Sequence, residues 1–188
     1  MFDAIVLAGG AARRLGGADK PGLIVGGRTL LDRVLDAVAG AATIVVAGPR
    51  RDTARPVSWV REDPPGAGPV AGIAAGVGLV RADVTLVLAA DLPGIGPAVP
   101  ALLGAVSGSP AAGVACLVEA SGQVNYLAAA WRTTALRAAL ELTAGTHGAP
   151  VRALVAASEM IEVPDPQGWG YDCDTWDELA GARERAER

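Results

Sequence analysis

Apolar residues fall in short unbroken runs that alternate with stretches where they recur every three or four positions. Phe2 to Ala8 is the first run, brief and bounded by glycines as a buried strand is. Gly22 to Val25 reads as a short extended piece and Gly26-Gly27 as a turn. Leu30, Leu31, Val34, Leu35 and Val38 share one face of a helix, with Asp32, Arg33 and Asp36 on the other, and the helix ends near Gly40. Ala42 to Ala47 and Val57 to Val60 are the next strands. Val70, Ile73, Ala74 and Val77 mark a helix, followed by a continuous apolar strand from Val84 to Ala90.

The alternation continues with a helix through Val99, Leu102, Leu103 and Val106, then strands at Val114 to Val118 and Val124 to Ala130. The spacing around Ser121-Gly122 predicts an antiparallel hairpin there. Leu136 to Leu142 and Val151 to Ala157 read as helices and Met160 to Val163 as a last strand. Apolar strands alternating with helices predict an α/β fold, a mostly parallel sheet covered on both faces with a small antiparallel excursion. No repeat, low-complexity tract or linker divides residues 1–188, which read as one domain.

Composition narrows the class. The 188 residues carry a net charge of −4, without a basic stripe, which argues against a nucleic-acid surface. No apolar run approaches the roughly 18 residues of a membrane span. Asp3 interrupts the first residues and no basic segment precedes an apolar one, so a secretion signal is not expected and a cytoplasmic location is. Cys116 and Cys173 with one histidine, His147, cannot make the usual zinc spacing, and buried free thiols are expected.

Chemistry concentrates between Leu7 and Lys20, in Leu7-Ala8-Gly9-Gly10-Ala11-Ala12-Arg13-Arg14-Leu15-Gly16-Gly17-Ala18-Asp19-Lys20. Glycines let successive backbone N–H groups converge on one anion. Arg14 and Lys20 add full charges, and Lys20 is the only lysine in the chain. The combination reads as a phosphate loop rather than as turn glycines beside a surface lysine, but it is neither G-x-x-x-x-G-K-[ST] nor G-x-G-x-x-G, which disfavours a P-loop NTPase or a dinucleotide enzyme.

Ligands of parallel sheets bind beyond the carboxyl ends of the strands, where Gly9, Gly48, Asp63 and Asp91 all fall. Asp91, before Leu92-Pro93, is either a turn former or a ligand for a hard cation such as Mg²⁺. Asp63 opens a proline-rich turn into a helix and either caps it or contacts a nucleotide, at guanine or at ribose. Thr175 and Glu178 form an S/T-x-x-E capping box for a last helix. That box leaves Asp172 and Asp174 unexplained.

The stretch Leu7 to Lys20 matches L-A-G-G-x-x-x-R-[LM]-G-G-x-D-K and resembles the signature of the molybdenum cofactor guanylyltransferases, the MobA-like nucleotidyltransferases. The resemblance implies a Rossmann-like three-layer α/β/α nucleotidyltransferase fold. It also implies a nucleotide site built from Leu7, Ala8, Gly9, Gly10, Lys20, Asp63 and Asp91. Asp63 to Ile73 is similar to the family's D…G-P-[LV]-A-G-I, and Asp91 to its metal-binding aspartate. Asp172 lies in its [DN]-x-[DN]-T, which implies a second Mg²⁺ ligand. Gly48-Pro49-Arg50 and Asn125-Tyr126 depart from the family pattern, the latter on the acceptor side.

The reaction so implied is Mg²⁺-dependent transfer of GMP from GTP to the phosphate of molybdopterin, with Lys20, Arg14 and Asp91 catalytic. Leu7-Ala8-Gly9-Gly10 stands where cytidylyl-transferring relatives usually show L-A-A-G. The resemblance further implies transient contact with cofactor-pathway or acceptor proteins. The alternatives are a CTP- or GTP-using transferase with another phosphorylated acceptor, such as phospholactate, and a nucleotide-binding accessory protein without catalysis.

Overall fold

Seven strands form one sheet in the computed structural model, which describes residues 1–10, 15–143 and 145–186. They are β1 (Asp3–Leu7), β4 (Ile44–Ala47), β5 (Ser58–Val60), β6 (Val84–Ala89), β7 (Val114–Glu119), β8 (Val124–Arg132) and β9 (Met160–Asp165). A two-stranded hairpin of β2 (Ile24–Val25) and β3 (Arg28–Thr29) stands apart. The sheet order is β5-β4-β1-β6-β8-β7-β9, and only β8 runs against its neighbours. The antiparallel excursion predicted around Ser121-Gly122 is this reversal.

Among the described residues six α-helices cover the sheet and flank it: α1 (Leu30–Ala37), α2 (Pro69–Val77), α3 (Ala98–Gly108), α4 (Thr133–Leu142), α5 (Val151–Val155) and α6 (Trp176–Ala186). Because side chains alternate along a strand, β1 sends Ala4 and Val6 to one face and Ile5 to the other. The first face packs on α1 and α3. The second packs on α2, α4 and α5. Ile5, Leu86, Leu88 and Trp131 are fully buried, and each aliphatic chain of this kind contributes about 1.5–3 kcal/mol. The three-layer arrangement follows from strands apolar on both sides.

Helix α2 approaches β1 closely because it carries glycines one turn apart. A Cβ at Gly72 would stand 3.1 Å from Leu7 Cδ2, and one at Gly76 would stand 3.1 Å from Ile5 Cγ2. Asp3, which looked like an interruption of the first strand, is buried and closes the far end of the sheet. Its carboxylate accepts from the N–H groups of Thr43 at 2.8 Å, Arg81 at 2.6 Å and Ala82 at 2.7 Å. Both cysteines are buried and free. Burial pushes the thiol of Cys116 up to about 12 and that of Cys173 up to about 11.

A third apolar cluster ties the chain's two ends together. Val25 and Leu30, from the hairpin and α1, pack on Cys173, Leu179 and Ala182. Arg183 Nε donates to the Ile24 carbonyl at 3.0 Å. The segment before α6 is thereby held beside the turn that carries Lys20. Among the described residues no helix is long and apolar enough to cross a membrane.

Candidate active site

A cavity of about 750 Å³ opens at the carboxyl ends of β1, β4 and β6. Leu7, Gly9, Gly10, Lys20 and Asp91 line it, and Ala8 is buried behind its wall. Gly10 has φ 127°, a conformation open to glycine and strained for other residues. Arg14 lies outside the described residues.

Gly48 explains how the chain begins this loop. It has φ 150°, and a Cβ there would come within 2.7 Å of the Ala8 carbonyl carbon and oxygen and 2.9 Å of the Gly9 nitrogen. The turn after β4 thus presses directly on the start of the glycine loop. Gly48→Ala is expected to lower stability by about 1–3 kcal/mol through overpacking, and to weaken nucleotide binding. Thermal melts and nucleotide titration check both effects.

Lys20 opens a 3-10 turn, Lys20–Gly22, in which Leu23 N–H donates to the Lys20 carbonyl at 3.0 Å. Its ammonium donates to Asp91 Oδ2, although the two residues are 71 positions apart. It also donates to Asp174 Oδ1 at 2.5 Å. Burial alone would lower the lysine pKa. The two carboxylates outweigh it and hold the group above its ordinary value.

The acidic arm reaches this point through a set of clamps. Asp165, at the end of β9, accepts from Trp169 N–H at 2.9 Å and Gly170 N–H at 2.7 Å. Asn125 Nδ2 donates to the Gly170 carbonyl at 2.9 Å, while its Oδ1 accepts from Leu127 N–H at 3.0 Å. The β7–β8 register jumps here, from Cys116 opposite Ala129 to Leu117 opposite Asn125. Such a bulge re-aims a strand beside a site. Cys173 points into the third apolar cluster, and its neighbours Asp172 and Asp174 flank it. The capping box is formed: Thr175 N–H donates to Glu178 Oε2 at 2.7 Å and Glu178 N–H to Thr175 Oγ1 at 3.3 Å.

Asp174 takes the contact with Lys20, and Asp172 lines a second cavity of about 470 Å³. The two cavities share Asp91 and Asp174. The Asp172 carboxyl is pushed above its ordinary value, first by partial withdrawal from water, then by the charges of Asp174 and Asp91. Asp63 is exposed and absent from the lining of either cavity. Its neighbour Glu62 lines the larger one, with Oε1 accepting from Gly66 N–H at 2.9 Å. His147 is exposed. Glu62 and Asp174 were missed as site residues, though each adjoins or shares a motif with a predicted one.

Asp91 bears on metal binding. Its Oδ1 is buried and has no hydrogen-bond partner among the described residues, an arrangement that costs about 1–3 kcal/mol or more for a carboxylate. No group of three or more His, Cys, Asp or Glu side chains is placed to hold an ion among the described residues. A buried carboxylate oxygen without a partner among the described residues fits a hard divalent cation, which carboxylates hold together with substrate phosphates.

An open, mostly parallel sheet with a glycine loop after its first strand, and a lysine facing an aspartate from the neighbouring strand, is the frame of a nucleotidyltransferase. The chain belongs to the family of the MobA-like NTP transferase domain, whose model matches residues 4–162. It is 37% identical over 140 residues to a molybdenum cofactor guanylyltransferase of Acidiphilium cryptum, covering 70% of this chain and 67% of that one. The fold is that of molybdopterin-guanine dinucleotide biosynthesis protein A from Archaeoglobus fulgidus, with TM-score 0.74, 17% identity and 98% of each chain covered. It is equally that of 2-C-methyl-D-erythritol 4-phosphate cytidylyltransferase from Thermus thermophilus, with TM-score 0.75, 21% identity and all of each chain covered. The expected fold is thereby met, and it serves transferases of different names.

Proposed function

We propose that this nucleotidyltransferase transfers GMP from GTP to the phosphate of molybdopterin, releasing pyrophosphate and working in the cytoplasm. The observation that carries the reading is the meeting of Lys20 and Asp91 where a glycine-lined cavity joins a second one. A triphosphate in the first and a phosphorylated acceptor in the second would bring their reacting phosphates together beside that pair. The acceptor phosphate has a second pKa near ~6 and is already largely ionised, so no general base is needed.

Positioning and charge neutralisation then carry the catalysis. The glycine-loop N–H groups orient the triphosphate, and Lys20 neutralises charge that passes to the leaving pyrophosphate. Asp91, with its unpartnered oxygen, would hold Mg²⁺, and Asp172 or Asp174, which line the second cavity with it, would supply any second carboxylate. When bound, that ion supplies electrostatic stabilisation of the phosphate oxygens. Arg14, by its place in the motif, adds a second cation.

Guanine is supported by Leu7-Ala8-Gly9-Gly10 and by Glu62. A carboxylate accepts from both adjacent donors of guanine, N1–H and N2–H. Of the neighbours Glu62 and Asp63 only Glu62 lines the cavity, and it is the carboxylate assigned here the part expected of Asp63. The second cavity supports a donor-rich heterocycle over a further anion: Asp91, Glu119, Asp172 and Asp174 line it, against Arg152 as the one cation among the described lining residues. A pterin offers N–H donors to such a wall.

Pyrophosphate release from each of the four nucleoside triphosphates, with Mg²⁺ and molybdopterin, tests the base. GTP is expected to be turned over at least about tenfold faster than the others, since a polar base edge is strongly discriminated when its partners are buried. Preferential turnover of CTP would refute the guanine assignment.

A further inference from the structure

Arg51 stands in the loop between β4 and β5, and all three of its guanidinium nitrogens are engaged. Nε donates to both carboxylate oxygens of Asp19 at 2.9 Å, and Nη2 donates to Asp19 Oδ1 at 2.5 Å. Nη1 donates to the Ala8 carbonyl at 3.1 Å and the Pro49 carbonyl at 2.7 Å. The Arg51 side chain is only 17% exposed, although that of Asp19 is 58% exposed. The arginine is thus packed in place and the aspartate is drawn to it.

The two points it grips are the ends of the glycine loop. Ala8 is where the chain leaves β1, and Asp19 is the residue before Lys20. Asp19 also opens the turn that carries Lys20, because its carbonyl accepts from Gly22 N–H at 2.9 Å. Its side chain lies over that turn: a Cβ on Gly22 would come within 2.8 Å of Asp19 Oδ2. Arg51 itself does not line the cavity. Whatever it does for the reaction passes through Asp19 and Ala8.

We propose that Arg51 is a positioning residue of the nucleotide site: its guanidinium spans the glycine loop from Ala8 to Asp19 and so aims the Lys20 ammonium at the triphosphate. The role rests on the reading of this loop as the triphosphate site. It requires a planar fork that meets a carboxylate with two nitrogens and still reaches two carbonyls. A lysine, as a compact point charge, cannot do this.

Arg51→Gln and Arg51→Lys in the 188-residue chain test the proposal by two measurements. The first is hydrogen exchange at the amides of Gly22 and Leu23, which close the Lys20 turn. Both variants are expected to exchange there about tenfold faster or more, with the melting temperature and core amides little changed, as for a local opening. The second is steady-state turnover with GTP. The nucleotide KM is expected to rise by about 10- to 100-fold, the cost of a small misplacement, with the acceptor KM unmoved and lysine giving no rescue.

Asp19→Asn should reproduce the nucleotide effect, and the double variant should be no worse than the harsher single one. Unchanged exchange at Gly22 and Leu23 would overturn the proposal. So would recovery with lysine, full additivity with Asp19→Asn, or faster exchange throughout the core, which marks general destabilisation. If the wild-type chain bound no nucleoside triphosphate, the reading of the site would fail. The exchange comparison would still decide whether Arg51 holds the turn.

Discussion

Lys20→Ala is expected to lose on the order of 10²–10³-fold in turnover while keeping its fold, the cost of removing a preorganised charge from a developing anion. The loss should appear in kcat and kcat/KM together, because the ammonium is needed most when charge moves to pyrophosphate. The side chain is 13% exposed and pairs with two carboxylates. Its removal therefore also takes away the ammonium from which both Asp91 and Asp174 accept. Arginine should restore little, since a fork does not fit a place built for one ammonium between two acids. Rapid-quench or pyrophosphate-release kinetics, with circular dichroism as the control for folding, check the outcome. Near-normal turnover would remove Lys20 from the mechanism.

Asp91→Asn should reduce turnover by a comparable factor, on the order of 10²–10³-fold, by a different route. The substitution keeps the shape and removes the charge. Lys20 keeps Asp174 as a partner, so the ammonium is not stranded. What disappears is a carboxylate with a buried oxygen that no described group satisfies. If that oxygen serves a divalent ion, the variant should need much higher Mg²⁺ or Mn²⁺ for any residual rate. The wild type should lose activity in EDTA and recover it with either ion. A variant with an unchanged metal requirement would reassign the metal to other groups.

The fold was legible because parallel strands buried on both faces leave continuous apolar runs, and Val84 to Ala90 is one that nothing else in the chain could be. Loop glycines were legible for a similar reason, since they mark where the backbone must turn or come close. Pairings between distant segments were not. Asp174 meets Lys20 from a segment that Cys173 anchors in a cluster with Val25 and Leu30, more than a hundred residues earlier. No local pattern carries that contact. Glu62 and Asp63 differ by a single position, and the direction of one turn decides which of them faces the cavity.

Asp3 and Asn125 teach the same point from the polar side. Each looked incidental in the sequence, a charge in a strand and a departure from a family motif. In the structure each closes backbone hydrogen bonds of other elements, at the base of the sheet and at the acidic arm. Arg51 was hidden among many arginines, and only its contacts separate it from them.

The most direct measurement is the mass of the product formed from GTP, Mg²⁺ and molybdopterin by the purified chain. The account predicts an adduct heavier than the acceptor by one guanylyl group, formed together with one pyrophosphate and absent with Lys20→Ala. Pyrophosphate without that adduct, or an adduct that forms from CTP and not from GTP, would contradict it.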